Sequence, residues 1–156
     1  PTVKEIWESI DDVKKYDEVV FCGFGEPTLR LDVIKEIAKK IKDNGGRVRL
    51  NTNGHGNVIN KRNILPELSG LIDEVSVSLN TDSSEAYDEI CKPLPKFRNG
   101  IYEKIKEFIE EAKKHIPDVQ ASIVTHQRGV DEANCEEIVN KEFGVKYRAR
   151  RYNIVG

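Results

Sequence analysis

Short apolar segments alternate with amphipathic segments along the whole chain, and this alternation limits the possible folds more than any other feature. In the amphipathic segments the apolar residues return every three or four positions, which is typical of helices with one face packed on a core. Residues 31–43 give the clearest example, and Asn44-Gly45-Gly46 marks where that helix should end. Repeated strand–helix–strand order indicates βα crossovers, so we predict an α/β fold with a parallel sheet.

Five strands and six helices follow from these patterns. The predicted strands cover residues 18–22, 47–51, 74–79, 119–125 and 145–153, and the predicted helices cover residues 3–15, 31–43, 64–69, 83–91, 101–115 and 131–143. Residues 92–100 contain two prolines and a glycine, and we expect a loop there. Because no internal repeat, low-complexity tract or linker interrupts the pattern, we predict a single domain over residues 1–156.

Within the predicted strands, apolar and polar residues alternate. Val75, Val77 and Leu79, for example, alternate with Ser76 and Ser78. Successive side chains of a strand point to opposite faces, so one face of the sheet should meet the helices and the other should line a wet or occupied space. A closed (β/α)₈ barrel typically needs about 250 residues and has a mostly apolar interior. At 156 residues, the chain is therefore predicted to form a partial barrel, although a merely solvated open sheet would give the same pattern.

The carboxyl ends of the predicted strands are rich in glycine and small polar residues. They comprise residues 23–27, 51–54, 78–81, 125–126 and 151–153. Parallel α/β proteins bind their ligands at these ends. We therefore expect the functional site to lie along this edge of the sheet.

Composition excludes several classes of protein. The formal net charge of −2 argues against a general nucleic-acid surface, and no apolar run approaches the roughly 20 residues of a membrane helix. No signal peptide is visible, so a cytoplasmic location is expected. The chain begins with Pro1 and contains no methionine, which we interpret as a cut rather than a natural start. The cysteines Cys22, Cys91 and Cys135 are too far apart to predict a disulfide framework or a metal knuckle.

Gly23-Phe24-Gly25-Glu26-Pro27, directly after the first predicted strand, resembles the "GGEP" motif of the radical S-adenosylmethionine (radical SAM) superfamily, with Phe24 between the two glycines. A Gly-x-Gly pair alone would indicate only a tight turn, and the dinucleotide-binding pattern fails because Thr28 occupies its third glycine position. Two further segments support the resemblance at successive strand ends. Asn51-Thr52-Asn53-Gly54 resembles the family's "TNG" segment, and Ser78-Leu79-Asn80 resembles its ribose-binding segment.

The resemblance extends from about Val19 to the end of the chain. Residues 21–93 and the final residues 143–156 are similar to the TatD-associated radical SAM proteins. The family's barrel has six strands, so the five predicted here imply that the first strand is missing. The family's Cys-x-x-x-Cys-x-x-Cys loop, which ligates a [4Fe–4S] cluster, is also absent from this sequence.

The resemblance implies S-adenosylmethionine and a [4Fe–4S] cluster as cofactors, with the cluster ligands outside this chain. It implies an enzyme that generates a 5′-deoxyadenosyl radical, with an unknown substrate and an electron donor such as flavodoxin or ferredoxin. This piece alone is expected to be inactive. The cofactor-binding residues implied by resemblance and by strand alternation are Gly23, Gly25, Glu26, Asn51, Asn53, Ser78, Asn80, Arg148 and Arg150.

The roles of several polar residues stay open. Gly23, Gly25 and Glu26 would hold the methionine end, while Arg148 or Arg150 would bind the methionine carboxylate or an anionic substrate unless both are simply solvated. His126 could contact substrate but is more typical of a polar rim. His55 and His115 are expected to be exposed at a loop and at a helix end.

Two alternatives compete with the radical SAM hypothesis. One is a cluster-free module that binds S-adenosylmethionine or a nucleotide. The other is an unrelated partial β/α-barrel hydrolase, which is disfavoured because the sequence offers no Ser/His/Asp grouping and no His/carboxylate cluster.

Overall fold

A five-stranded parallel sheet forms the centre of the computed structural model, which describes residues 1–23, 25–98, 100–125 and 129–151. The strands are β1 (Val19–Phe21), β2 (Val48–Thr52), β3 (Glu74–Ser78), β4 (Asp118–Thr125) and β5 (Lys146–Arg151). They lie side by side in sequence order. The predicted α/β arrangement with five parallel strands is therefore confirmed.

Helices connect successive strands. They are α1 (Val3–Ser9), α2 (Leu31–Asp43), α3 (Gly56–Asn60), α4 (Leu65–Leu68), α5 (Ser84–Cys91), α6 (Ile101–His115) and α7 (Glu132–Glu137), and α7 continues as a π-helical turn over Ile138–Phe143. Three short 3₁₀ segments cover Val13–Lys15, Pro27–Arg30 and Pro95–Phe97. The two long helices, α2 and α6, have the predicted bounds.

Both long helices pack on the apolar face of the sheet. Ile37 and Ile41 of α2 and Phe108 of α6 have no solvent exposure, and they belong to one core cluster with Leu50 and Val77 of the sheet. Burying an aliphatic or aromatic side chain contributes about 1.5–3 kcal/mol, so this interface supplies much of the driving force for folding.

The other face of the sheet carries the predicted polar residues, and at the amino-terminal ends of the strands several of them pair with one another, although Arg49 Nε is buried without a described partner. Arg49 lies 3.1 Å from Glu18 and 3.8 Å from Glu74, and Gln120 Nε2 donates to Glu74 Oε1 at 2.9 Å. Ser122, further along the same face, is 1% exposed. This end of the polar face is therefore closed by its own ion pairs rather than simply solvated.

Several expectations for local structure were wrong. The helix expected over residues 3–15 ends at Ser9, because Asp11 takes a left-handed conformation (φ 31°) and Asp12 caps a separate 3₁₀ turn by accepting from Lys14 N. The helix expected over residues 131–143 widens into the π-helical turn after Glu137. The short helix α3 was not predicted. Cys22 follows β1 instead of lying inside it, and it is exposed.

Candidate functional site

The glycine segment after β1 opens the candidate site. Gly23 and Gly25 have φ values of 152° and 112°, and a Cβ atom added at either residue would have no heavy atom within 4 Å. Glycine is favoured here by backbone conformation, because L side chains rarely adopt these angles. The open space beside both residues belongs to a shallow depression of about 360 Å³, which also borders Glu26 and Arg30.

The Glu26 carboxylate fixes this segment to the end of β2. Its Oε1 accepts hydrogen bonds from Thr28 N (3.1 Å), Thr28 Oγ1 (2.6 Å) and Thr52 Oγ1 (2.8 Å), and its Oε2 accepts from Asn53 N (2.8 Å). Hydrogen bonds to a carboxylate are about twice as strong as neutral ones, so the two from Thr28 fix the carboxylate and the two from Thr52 and Asn53 join the two loops. We call this arrangement the Glu26 clamp.

Thr28 and Thr52 belong to the candidate site, but sequence reasoning did not select either of them. Both are nearly or fully buried, at 0% and 3% exposure, and both donate to Glu26. A buried threonine hydroxyl needs a hydrogen-bond partner. The presence of one threonine in each of the two polar segments could therefore have indicated that a polar side chain joins them.

Asn51 and Asn53 differ in how their side chains are used. Asn53 Oδ1 accepts from the backbone N–H of His55 at 2.9 Å and shapes the turn after β2. Asn51 Oδ1 is inaccessible to solvent and accepts no hydrogen bond from the described part of the chain. A buried carbonyl oxygen without a partner costs roughly 1–3 kcal/mol, so a ligand that reached this atom with a donor would remove that cost.

Ser78, Asn80 and Arg150 meet at the ends of β3 and β5. Arg150 Nη2 donates to Ser78 Oγ at 3.3 Å and to Asn80 Oδ1 at 3.4 Å. Ser78 and Asn80 thus share one guanidinium, and their predicted contact with a ribose stays a prediction. Burial, followed by the nearby charge of Arg148, lowers the pKa of Arg150. Among the described residues, no carboxylate forms an ion pair with Arg148 or Arg150.

His55 was expected to be exposed, and this expectation was wrong. Its side chain is half-buried, its Nε2 lies 3.0 Å from Tyr87 Oη, and its ring stacks at an angle near Phe97. Burial lowers the pKa of His55. His126, the other histidine considered for the site, lies outside the described residues.

The family assignment follows from sequence comparison. The family model described as "Radical SAM superfamily" matches residues 1–141. This chain belongs to the radical SAM superfamily. The predicted superfamily is thereby confirmed, whereas the closer resemblance to TatD-associated radical SAM proteins stays a prediction.

One curated relative and two solved structures are similar to this chain. A Methanocaldococcus jannaschii protein, provisionally named as a glycyl-radical enzyme activating enzyme, is 34% identical over 140 residues, which are 88% of this chain and 54% of the relative. A structure of TYW1 with a bound lysine–pyruvate adduct matches with a TM-score of 0.66 and 18% identity, covering 98% of this chain and 50% of that one. Archaeal TYW1 matches with a TM-score of 0.65 and 14% identity, covering 96% and 51%.

These comparisons confirm the predicted fold class, since both TYW1 chains share the arrangement of nearly all of this chain. The chain spans about half the length of the curated relative it matches.

The described residues of this radical SAM chain do not fit an iron–sulfur cluster. No group of three histidine, cysteine, aspartate or glutamate side chains within them could hold a metal ion. Cys22 is exposed, Cys91 is half-buried on α5 and Cys135 is buried on α7. Burial raises the pKa of Cys91 and of Cys135, which disfavours the thiolate that a metal requires.

Proposed function

We propose that this chain forms the S-adenosylmethionine-binding part of a radical SAM enzyme. The main support for this proposal is the Glu26 clamp. Its hydrogen bonds hold the glycine segment against the end of β2, so that both can contact one ligand. Asn51 Oδ1, buried and without a described partner, provides an acceptor on the same strand. An amino or hydroxyl group of S-adenosylmethionine fits these features, since each can donate a hydrogen bond.

Each predicted site residue has a role in this proposal. The backbone of Gly23 and Gly25 would approach the methionine end closely, while Glu26 acts as a positioning residue through its clamp. Asn51 would accept a hydrogen bond from the ligand, and Asn53 shapes the turn beside it.

A second group of residues would bind the rest of the cofactor. Ser78 and Asn80 would face the ribose hydroxyls. Arg148 and Arg150, which lack a described carboxylate partner, would bind the methionine carboxylate.

The complete enzyme would carry its [4Fe–4S] cluster on residues other than those described here. In such an enzyme the cluster would provide one-electron reduction of bound S-adenosylmethionine, and the residues of this chain would hold and orient the S-adenosylmethionine. An electron donor such as flavodoxin or ferredoxin is the proposed partner, and this chain by itself is proposed to be inactive. The substrate is unknown. No helix in the described ranges combines the length and hydrophobicity that a bilayer crossing requires.

Isothermal titration calorimetry with S-adenosylmethionine tests the binding proposal. We expect saturable binding. Asn51→Ala should weaken it about tenfold, because the variant loses the net contribution of one hydrogen bond. Asn44→Ala is the matched control, because Asn44 is exposed at the end of α2 and should leave the affinity unchanged. Absence of binding, or equal losses in both variants, would overturn the assignment.

A cluster-free binding module is the second candidate, because the described residues contain no metal-binding group. Anaerobic incubation with iron and sulfide, followed by assay for 5′-deoxyadenosine, should give neither a cluster nor product with this chain. Determining the coding sequence upstream of Pro1 separates the two candidates. A Cys-x-x-x-Cys-x-x-Cys triplet there supports the enzyme, and its absence from the complete gene supports the cluster-free module.

A further inference from the structure

A second, larger cavity lies beside the proposed cofactor site. Its volume is about 910 Å³, and most of its wall comes from the segments that follow β2 and β3, with Leu29 contributed by the segment after β1. Cavities that bind small molecules typically measure about 300–1,000 Å³. Asn53 and Asn80 belong to both the cavity wall and the set of proposed cofactor residues, so the two sites are contiguous.

The polar groups in the cavity wall are linked to one another. His55 Nε2 lies 3.0 Å from Tyr87 Oη, Tyr87 interacts with Cys91, and Asn80 Nδ2 donates to Cys91 Sγ at 3.8 Å. Asn80 in turn accepts from Arg150. A continuous chain of polar contacts therefore leads from the cavity to the proposed cofactor site.

The polar side chains in the interior of the cavity wall are uncharged, although the carboxylates of Glu26 and Asp88 act on them from outside the wall. Burial lowers the pKa of His55 and raises the pKa of Tyr87 and of Cys91, which keeps the imidazole, phenol and thiol uncharged near neutral pH. Among the described residues that line the cavity, the exposed Lys61 is the only one with a charge. A charged group entering the cavity would lose hydration without gaining an opposite charge in its interior.

The mouth of the cavity exposes two leucines. Leu29 is 63% exposed and Leu94 is 61% exposed, and Tyr16, elsewhere on the surface, is the other large exposed hydrophobic residue among those described. Exposed apolar side chains at the rim of a concave site are typical of a binding site rather than of ordinary surface.

We propose that this cavity binds the uncharged part of the substrate, an aromatic or branched aliphatic group that carries one neutral hydrogen-bonding atom. The leucines and Phe97 would pack against the apolar body, and the His55–Tyr87 pair would exchange a hydrogen bond with the polar atom. The identification of the bound group as substrate rests on the proposed function, because Asn53 and Asn80 border both the cavity and the proposed cofactor site.

Nuclear magnetic resonance titration of the labelled chain with indole tests this inference. Indole has an apolar ring system and one neutral N–H donor. We expect saturable shifts at His55, Tyr87 and Leu94 that share one dissociation constant. Tryptamine and indole-3-acetate, which carry opposite charges, should bind at least roughly tenfold more weakly because charge burial is unfavourable.

Leu94→Asp should weaken indole binding roughly three- to tenfold by removing apolar contact at the mouth. Tyr16→Asp is the matched control, because it also places a carboxylate at an exposed hydrophobic position but lies away from the cavity. Unsaturable shifts, equal binding of the charged analogues, or equal losses in both variants would overturn the inference.

The same samples separate this inference from the proposed function. Loss of indole binding with retained S-adenosylmethionine binding would overturn the cavity assignment alone. Indole binding without S-adenosylmethionine binding would overturn the proposed function and, with it, the identification of the bound group as substrate.

Discussion

At the scale of single residues, Glu26 contributes to stability because its carboxylate connects the glycine segment to the end of β2. Glu26→Gln replaces one acceptor oxygen with an amide that faces N–H and O–H donors. We expect a loss of about 1.5–3 kcal/mol in unfolding free energy, the range for hydrogen bonds to a charged group, together with weaker S-adenosylmethionine binding. Urea denaturation measures the loss. Glu36→Gln on the exposed side of α2 should change stability by less than about 0.5 kcal/mol, and a similar loss there would contradict the clamp.

His55 gives a residue-scale prediction about pH. Its pKa is lowered in the folded chain, so below the ordinary value of about 6.5 the unfolded chain binds more protons than the folded one. Stability should therefore decrease as the pH falls below about 6.5, and His55→Gln should reduce this decrease. Denaturation across this pH range, with a histidine proton titration, measures both effects. Because burial is the main cause, Tyr87→Phe should leave the His55 pKa low, and a return to the ordinary value would refute that cause.

At the scale of elements, Gly54 shows how the turn after β2 is fitted to α6. It has φ 80°, and a Cβ would lie 2.9 Å from Ile105 Cγ2 and 3.1 Å from Val77 Cγ1. Gly45, after α2, has nearly the same φ of 79° but open space around it. Gly45→Ala should cost about 1–2 kcal/mol for the left-handed conformation, and Gly54→Ala should cost about 1–3 kcal/mol more for overpacking. Equal losses in urea denaturation would exclude the packing contribution.

The lengths of the helices explain which of them could be predicted from the sequence. The bounds of α2 and α6 were predicted because each has a long apolar face with clear end signals. The break after Ser9 was missed because it depends on the backbone of Asp11, and α3 was missed because its five residues are too few for a periodic pattern. The glycine, Asn51 and Asn80 positions came from motif resemblance. The Glu26 clamp and the His55–Tyr87 contact join residues 26 and 32 positions apart, which periodicity does not encode.

At the scale of the whole molecule, the parallel sheet explains why the fold was predictable while the cavity was not. Five parallel strands joined by four helical crossovers leave few alternative folds, since such crossovers place strands side by side in one sheet. The cavity instead depends on how the loops after two strands lie across each other, with Pro93 and Phe97 approaching His55 and Tyr87 from a segment expected only to be a loop. The strand ends indicated the edge of the sheet at which this cavity lies, but they did not indicate the cavity itself.

Cooperativity tests the proposal that residues 1–156 form one domain. The only tryptophan, Trp7, lies on α1 and packs with Val3, Ile6 and Ile10 against the core, and the ammonium of Lys40 on α2 lies 5.7 Å from its ring. A single domain should unfold in one transition, so Trp7 fluorescence and far-ultraviolet circular dichroism should give the same urea midpoint.

The variant Phe108→Ala strengthens this test, because Phe108 is fully buried on α6 and is not part of α1. Its loss should cost about 3–5 kcal/mol and lower both midpoints together. If fluorescence changed at a lower urea concentration than circular dichroism, or kept its midpoint in the variant, α1 would unfold independently of the sheet. The single-domain proposal would then be wrong.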